Sequence, residues 1–144
     1  MWKVDESLGF VVNRSARAMR RVLDAGLVEH GITASQYIVL ERLWEEDGIS
    51  LTELGESLYF DNPTLTGIID RMERGGFLER QRDDNDRRVV RIFLTRAGRS
   101  LQDTLGGKAE ETDREAVSSL SVAEQQLLLH TLNRIWKRMD EILD

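Results

Sequence analysis

Arginine carries most of the charge chemistry open to this chain. Seventeen of its 20 basic residues are Arg, and seven of those (80, 82, 87, 88, 91, 96 and 99) share one short stretch with three Asp (83, 84 and 86). That stretch balances to +4, whereas the whole chain carries −6. A planar guanidinium fork suits phosphate oxygens and guanine edges better than an ammonium does. The field a ligand meets is local, so a small basic patch on an acidic protein is a candidate anion footprint. On charge alone the same stretch reads equally well as a solvated surface segment. Asp86-Arg87-Arg88 sharpens the first reading. The Asp86-x-Arg88 spacing lets a carboxylate orient a guanidinium before any ligand arrives, and a narrow, electronegative minor groove favours an inserted guanidinium.

Other chemistries are poorly supported. No Ser/His/Asp or Cys/His set stands out, and no glycine-rich phosphate loop follows a strand, so the chain does not read as an enzyme. It has no Cys, which removes disulfides, thiolate zinc sites and thiol redox sensing together. Two histidines, His30 and His130, are too few for a convincing zinc site. No cofactor and no metal are expected. No run approaches the ~18 apolar residues of a membrane span, and Met1 to Glu6 lack a signal-peptide core. A cytoplasmic protein without a membrane partner is expected.

The elements that must present the arginines are mostly helical. Leu8, Val11, Val12, Met19, Val22 and Leu23 mark one face of a first helix ending near Gly26 or Gly31. Thr33…Gln36, Ser50…Glu53 and Ser121…Glu124 read as capping boxes. Tyr37, Leu40, Leu43 and Trp44 mark a second helix; Leu51, Leu54 and Leu58 mark a short third. Asn62-Pro63 opens a fourth, with Asn62 as its cap and Pro63 at the first helical position. Its apolar face is Leu65, Ile68, Ile69 and Met72, and Gly75-Gly76 ends it. The period then changes. Residues 77–82 and 89–94 alternate as strands around the turn formers Asp83 to Asp86, which makes a β-hairpin. Thr95 caps a fifth helix that Gly106-Gly107 interrupts, through a bend or the close approach of another helix. Leu128, Leu132, Ile135, Met139 and Ile142 form a heptad seam in the last helix. That seam is read as an interface between subunits, with intramolecular core as the alternative.

Two short helices joined by a tight turn, the second amphipathic, followed by an arginine-tipped hairpin, are the parts of a winged helix-turn-helix. The expected fold is mainly α with a small β-hairpin wing, flanked by N- and C-terminal dimerisation helices. The expected division is 1–30, 31–98 (winged helix) and 99–144. Candidate DNA contacts on the fourth helix are Asn62, Thr64, Thr66, Gly67, Arg71 and Arg74; those on the wing are Asp86, Arg87 and Arg88. Gly67 would admit a close backbone approach or merely be tolerated. Arg71 and Arg74 would contact phosphates or pair with Asp70 and Glu73.

Gly31-Ile32-Thr33-Ala34-Ser35-Gln36-Tyr37, Leu51-Thr52-Glu53-Leu54-Gly55, the run Pro63 to Arg80, and Asp86-x-Arg88 with Leu94-Thr95-x-x-Gly98 together resemble the MarR family of bacterial regulators over almost the whole chain. The resemblance implies a homodimer whose two winged lobes grip a pseudo-palindromic operator in double-stranded DNA, recognition helices in major grooves and wings in minor grooves. It further implies a repressor, often released by a small phenolic or other aromatic anion. Arg14, Arg17, Tyr37 and Trp44 are the candidate effector contacts, beside Tyr59 and Phe60, with core positions as the alternative for the two aromatics at 37 and 44. Val89 after the wing arginine and Gly106-Gly107 depart from the family pattern, and the missing Cys excludes its thiol-based peroxide sensors. The competing reading of the fold is a winged-helix protein-interaction module without specific DNA binding.

Overall fold

The computed structural model describes residues 1–144. Seven helices and one hairpin follow the order α1 (Leu8–Leu27), α2 (Ala34–Glu45), α3 (Leu51–Leu58), α4 (Asn62–Arg74), β1 (Leu78–Arg82), β2 (Val90–Leu94), α5 (Arg96–Leu105), α6 (Lys108–Ala116) and α7 (Val122–Leu143). Single 3-10 turns precede α1 and follow it, the second ending at Gly31 with φ 68°. Thr33 and Ser121 close reciprocal capping boxes with Gln36 and Glu124. At Ser50 only the hydroxyl half forms: Ser50 Oγ accepts from Glu53 N–H at 3.1 Å. No helix is long and apolar enough to cross a membrane.

The chain divides into two units, Met1–Ala109 and Glu110–Asp144. The division falls beyond residue 98, so α5 belongs with the winged helix. In the first unit one core gathers Tyr37, Leu40 and Leu43 of α2, Leu54 of α3, Leu65, Ile68, Ile69 and Met72 of α4, Leu78 of β1, Ile92 and Leu94 of β2, and Leu105 of α5. Each such side chain contributes about 1.5–3 kcal/mol when removed from water. The alternation of β2 places Ile92 and Leu94 on that core and leaves Arg91 and Phe93 facing away. β1 and β2 pair antiparallel from Leu78↔Leu94 to Arg82↔Val90. The wing has a further edge. Gly48 N–H donates to Ile92 O and Ile92 N–H to Ile49 O, both at 3.0 Å. Gly48 makes this turn with φ 74°.

The glycine pair splits the long fifth helix into α5 and α6. Gly106 leaves the helix with ψ 131°, and Gly107 adopts φ 92°, a conformation that other residues rarely take. In the second unit α7 buries no residue. Leu127, Leu128, Met139 and Ile142 all stand exposed along it. The α1 stripe is similarly open at Leu8, Val11, Val12 and Val22, while Leu23 turns onto the core.

Candidate nucleic-acid interface

The helix-turn-helix begins with a buried glycine. A side chain at Gly55 would stand 3.2 Å from Leu65 Cδ2, so α3 and α4 meet there without one. Tyr59 ends α3 in the left-handed region with φ 57°, and it is 76% exposed. The cap of α4 is Asp61 rather than Asn62. Asp61 Oδ1 accepts from Thr64 N–H at 2.8 Å, which holds its carboxyl below its usual range. An ionised carboxylate is the stronger acceptor and also complements the positive end of the helix dipole. Asn62 is therefore the first helical residue and its amide is not engaged in capping. Pro63 follows within the first turn, where its missing N–H is not needed.

With Leu65, Ile68, Ile69 and Met72 turned inward, Asn62, Thr64, Thr66, Arg71 and Arg74 are all exposed, and Gly67 is half-buried. Arg71 folds back over Gly67: its guanidinium lies 3.4 Å from the place a Cβ would occupy. Arg71 and Arg74 do not pair with Asp70 and Glu73. Both acids are taken by Arg80 of β1, which donates to Glu73 Oε1 at 2.7 Å and to Asp70 Oδ1. Glu73 Oε2 also accepts from Arg80 N–H at 3.1 Å. Arg80 thus straps the wing to the recognition helix. Arg74 reaches only the Asp70 carbonyl, at 3.4 Å.

The wing tip is organised by Asp83. Its Oδ1 accepts from Asn85 N–H at 2.8 Å and Asp86 N–H at 3.0 Å, and its Oδ2 accepts from Arg91 Nε at 2.6 Å. The Arg91 side chain, and then the two amides, lower the Asp83 pKa. Arg91 continues to the Gly48 carbonyl at 3.1 Å, joining tip to body. Asp86 grips Arg88 with both oxygens, each 3.1 Å from a guanidinium nitrogen. That pair lowers the Asp86 pKa. The Arg88 side chain nonetheless remains 91% exposed, a pre-aimed cation with its outer edge free. Arg87 is exposed beside it and gives its carbonyl to Arg82 Nη1 at 2.8 Å.

A MarR family profile matches residues 32–90. The chain is 37% identical over 101 residues to the organic hydroperoxide resistance transcriptional regulator of Bacillus subtilis, covering 70% of this chain and 69% of that one. The chain belongs to the MarR family. It is also 43% identical over 99 residues to the HTH-type transcriptional regulator TtmR of Methylorubrum extorquens, covering 69% of this chain but only 51% of that relative. A crystal structure of a MarR mutant from E. coli complexed with operator DNA superposes with a TM-score of 0.80 at 27% identity, covering 89% of this chain and 92% of the other. As a MarR-type chain it is a transcriptional regulator, not an enzyme.

The effector candidates are not brought together. Tyr37 and Trp44 are held in the core, packed edge-on at 5.9 Å, and core hydrogen bonds take their polar atoms. Tyr37 Oη donates to Leu105 O at 2.9 Å and Trp44 Nε1 to Gly98 O at 3.0 Å. Both were candidates for a cleft, with core positions as the alternative; Tyr37 is buried and Trp44 half-buried against the core. Their helical spacing places them with Leu40 instead, on the buried side of α2. Arg14 and Arg17 do line a groove of about 510 Å³ with Phe10 and Arg21. A second cleft of about 530 Å³ brings Arg20 of α1 to Ile32, Thr64, Ile68 and Arg71. Sequence reading missed Asp83, Arg80 and Arg91 as scaffold. Arg80 and Arg91 counted there only as positive charge, because their acidic partners are set by the packing of β1 on α4 and by closure of the hairpin, not by nearness in sequence.

Proposed function

We propose that the chain is a homodimeric repressor that binds a pseudo-palindromic operator in double-stranded DNA. The observation that carries this reading is the shared presentation, by one rigidly packed unit, of a slim polar α4 face and a pre-aimed Arg88. Asn62, Thr64 and Thr66 would read base edges in a major groove. Gly67 leaves room for the Arg71 guanidinium that lies over it, and Arg74 would contact phosphate. Arg88, oriented by Asp86 and flanked by Arg87, would enter the neighbouring minor groove. The exposed apolar seam of α7 and the stripe of α1 support a second copy as the partner. Half-sites would then lie about one helical turn apart, ~34–36 Å.

Release by a small aromatic anion is supported by the two arginine-lined clefts. The cleft at Arg20 and Arg71 is the better candidate, because Arg71 and Thr64 belong to α4 itself. A carboxylate drawn between Arg20 and Arg71, with its ring against Ile32 and Ile68, would favour a misplaced α4. Selection from random duplex DNA tests the main reading. An enriched inverted repeat is expected, and its absence at low ionic strength would overturn the proposal. A thermal-shift screen of benzoate-like compounds tests the effector. Stabilisation that disappears in Arg71→Ala is expected, and no shift with any compound removes that part.

A further inference from the structure

We propose that Tyr37 is a positioning residue for DNA recognition, because its buried hydroxyl bonds both sides of the break between α5 and α6. The inference rests on the dimeric DNA-binding reading above. Tyr37 is 0% exposed. Its hydroxyl donates to Leu105 O at 2.9 Å and accepts from Ala109 N–H at 3.4 Å, and the Glu41 side chain of the same helix also faces it. Leu105 is the last residue of α5, and Ala109 lies in the first turn of α6. Both groups are helix-terminal orphans with no partner inside their own helices. One hydroxyl can donate once and accept twice, so a single side chain stands within hydrogen-bond reach of both sides of the break.

The rest of α5 is already fixed. Trp44 Nε1 holds the Gly98 carbonyl at 3.0 Å, near the start of α5. Gly98 is packed so closely that a Cβ would stand 2.3 Å from Phe77 O. α2 therefore grips α5 at both ends, with Trp44 near one end and Tyr37 at the other. Between the Tyr37 contacts lie only two glycines and Lys108. Gly106 and Gly107 carry no Cβ, so the backbone between the two contacts is intrinsically permissive. Without the pin, the break would sample many courses. A dimer that must place two recognition helices about one DNA turn apart cannot tolerate that freedom without losing spacing discrimination.

Two variants test the pin. Tyr37→Phe removes the hydroxyl and keeps the ring. Gly107→Ala adds a methyl where nothing lies within 4 Å, so it acts only by disfavouring the positive φ. In the free protein, amide exchange at Ala109 should quicken roughly two- to tenfold in Tyr37→Phe, the worth of one hydrogen bond, with α4 amides unchanged. With the selected operator, changing the half-site separation by one base pair should weaken wild-type binding about tenfold or more. Both variants should lose most of that penalty while binding a single half-site as the wild type does. Unchanged Ala109 exchange in Tyr37→Phe, or a wild-type spacing penalty in both variants, overturns the proposal. Exchange is read without DNA, so it judges the pin separately from the regulator reading. Should Tyr37→Phe fail to fold, the spacing profile of Gly107→Ala decides.

Discussion

The winged-helix unit and the C-terminal unit are built from similar apolar content and use it in opposite ways. In Met1–Ala109 the apolar faces of α2, α3, α4 and the hairpin converge on one another until Tyr37, Leu54, Ile69, Ile92 and Leu105 are 0% exposed. In Glu110–Asp144 the heptad seam of α7 has Leu132 and Ile135 half-buried and Leu128, Met139 and Ile142 exposed, with none fully buried. A core that closes within one chain explains its own residues. An amphipathic helix left open is the surface on which the proposed second copy would sit.

The largest effect should come from placing a charge in the open seam. Leu132→Asp is expected to weaken self-association by about 3–5 kcal/mol, the cost of an unpaired charge at an apolar interface. Sedimentation would show monomers, while the near-ultraviolet signal of Trp44 in the winged-helix core persists. The mirror experiment is Ile69→Ala. It should cost about 2–5 kcal/mol of stability in the first unit through the cavity it leaves, read by denaturant unfolding. If Leu132→Asp unfolded the first unit as completely as Ile69→Ala, the contrast between the two regions would be false.

Smaller effects sharpen the reading head itself. Arg88→Ala should weaken operator binding by about 1–3 kcal/mol without altering association, as seen by titration at fixed salt. Thr66 substitutions should change the preferred base at one position and leave overall affinity for mixed DNA near wild type. The smallest effect concerns pH. The carboxyls of Asp83 and Asp86 are held below their usual 3.8 by Arg91 and Arg88 respectively. Their ionised forms are favoured by folding, so their contribution is full above the ordinary carboxylate range. It is lost as pH falls through the lowered values. Amide signals of Asn85 and Arg88, which donate to these carboxylates, should therefore broaden only on strong acidification. Tyr37 has the opposite sign: burial, then the Glu41 carboxylate, pushes it from 10.0 up to about 12. Its contribution is full below about pH 10 and disappears as pH rises through about 12.

Helix periodicity made α1, α2, α4 and α7 readable, because 3.6-residue spacing records which side chains face a core regardless of what that core is. The same logic exposed the α4 outer face and the alternation of β2. Local chemistry was also legible where its partners are near in sequence, as with Asp86 and Arg88. Three things were not. Asp61 took the cap from Asn62, a choice between adjacent acceptors that charge decides. Arg80 meets its acids only when β1 folds back along α4, and Arg91 meets Asp83 only after the hairpin has closed. Tyr37 carries the same signature as any core aromatic, and its hydroxyl gains meaning only when the chain returns at Leu105.

The direct test is sedimentation and titration of the intact chain with its selected inverted repeat across a range of salt. Two protomers should bind each duplex, with affinity falling steeply and linearly on a log–log plot as phosphate contacts release counterions. A chain that stays monomeric, or that ignores the duplex at low ionic strength, would contradict the account at its root.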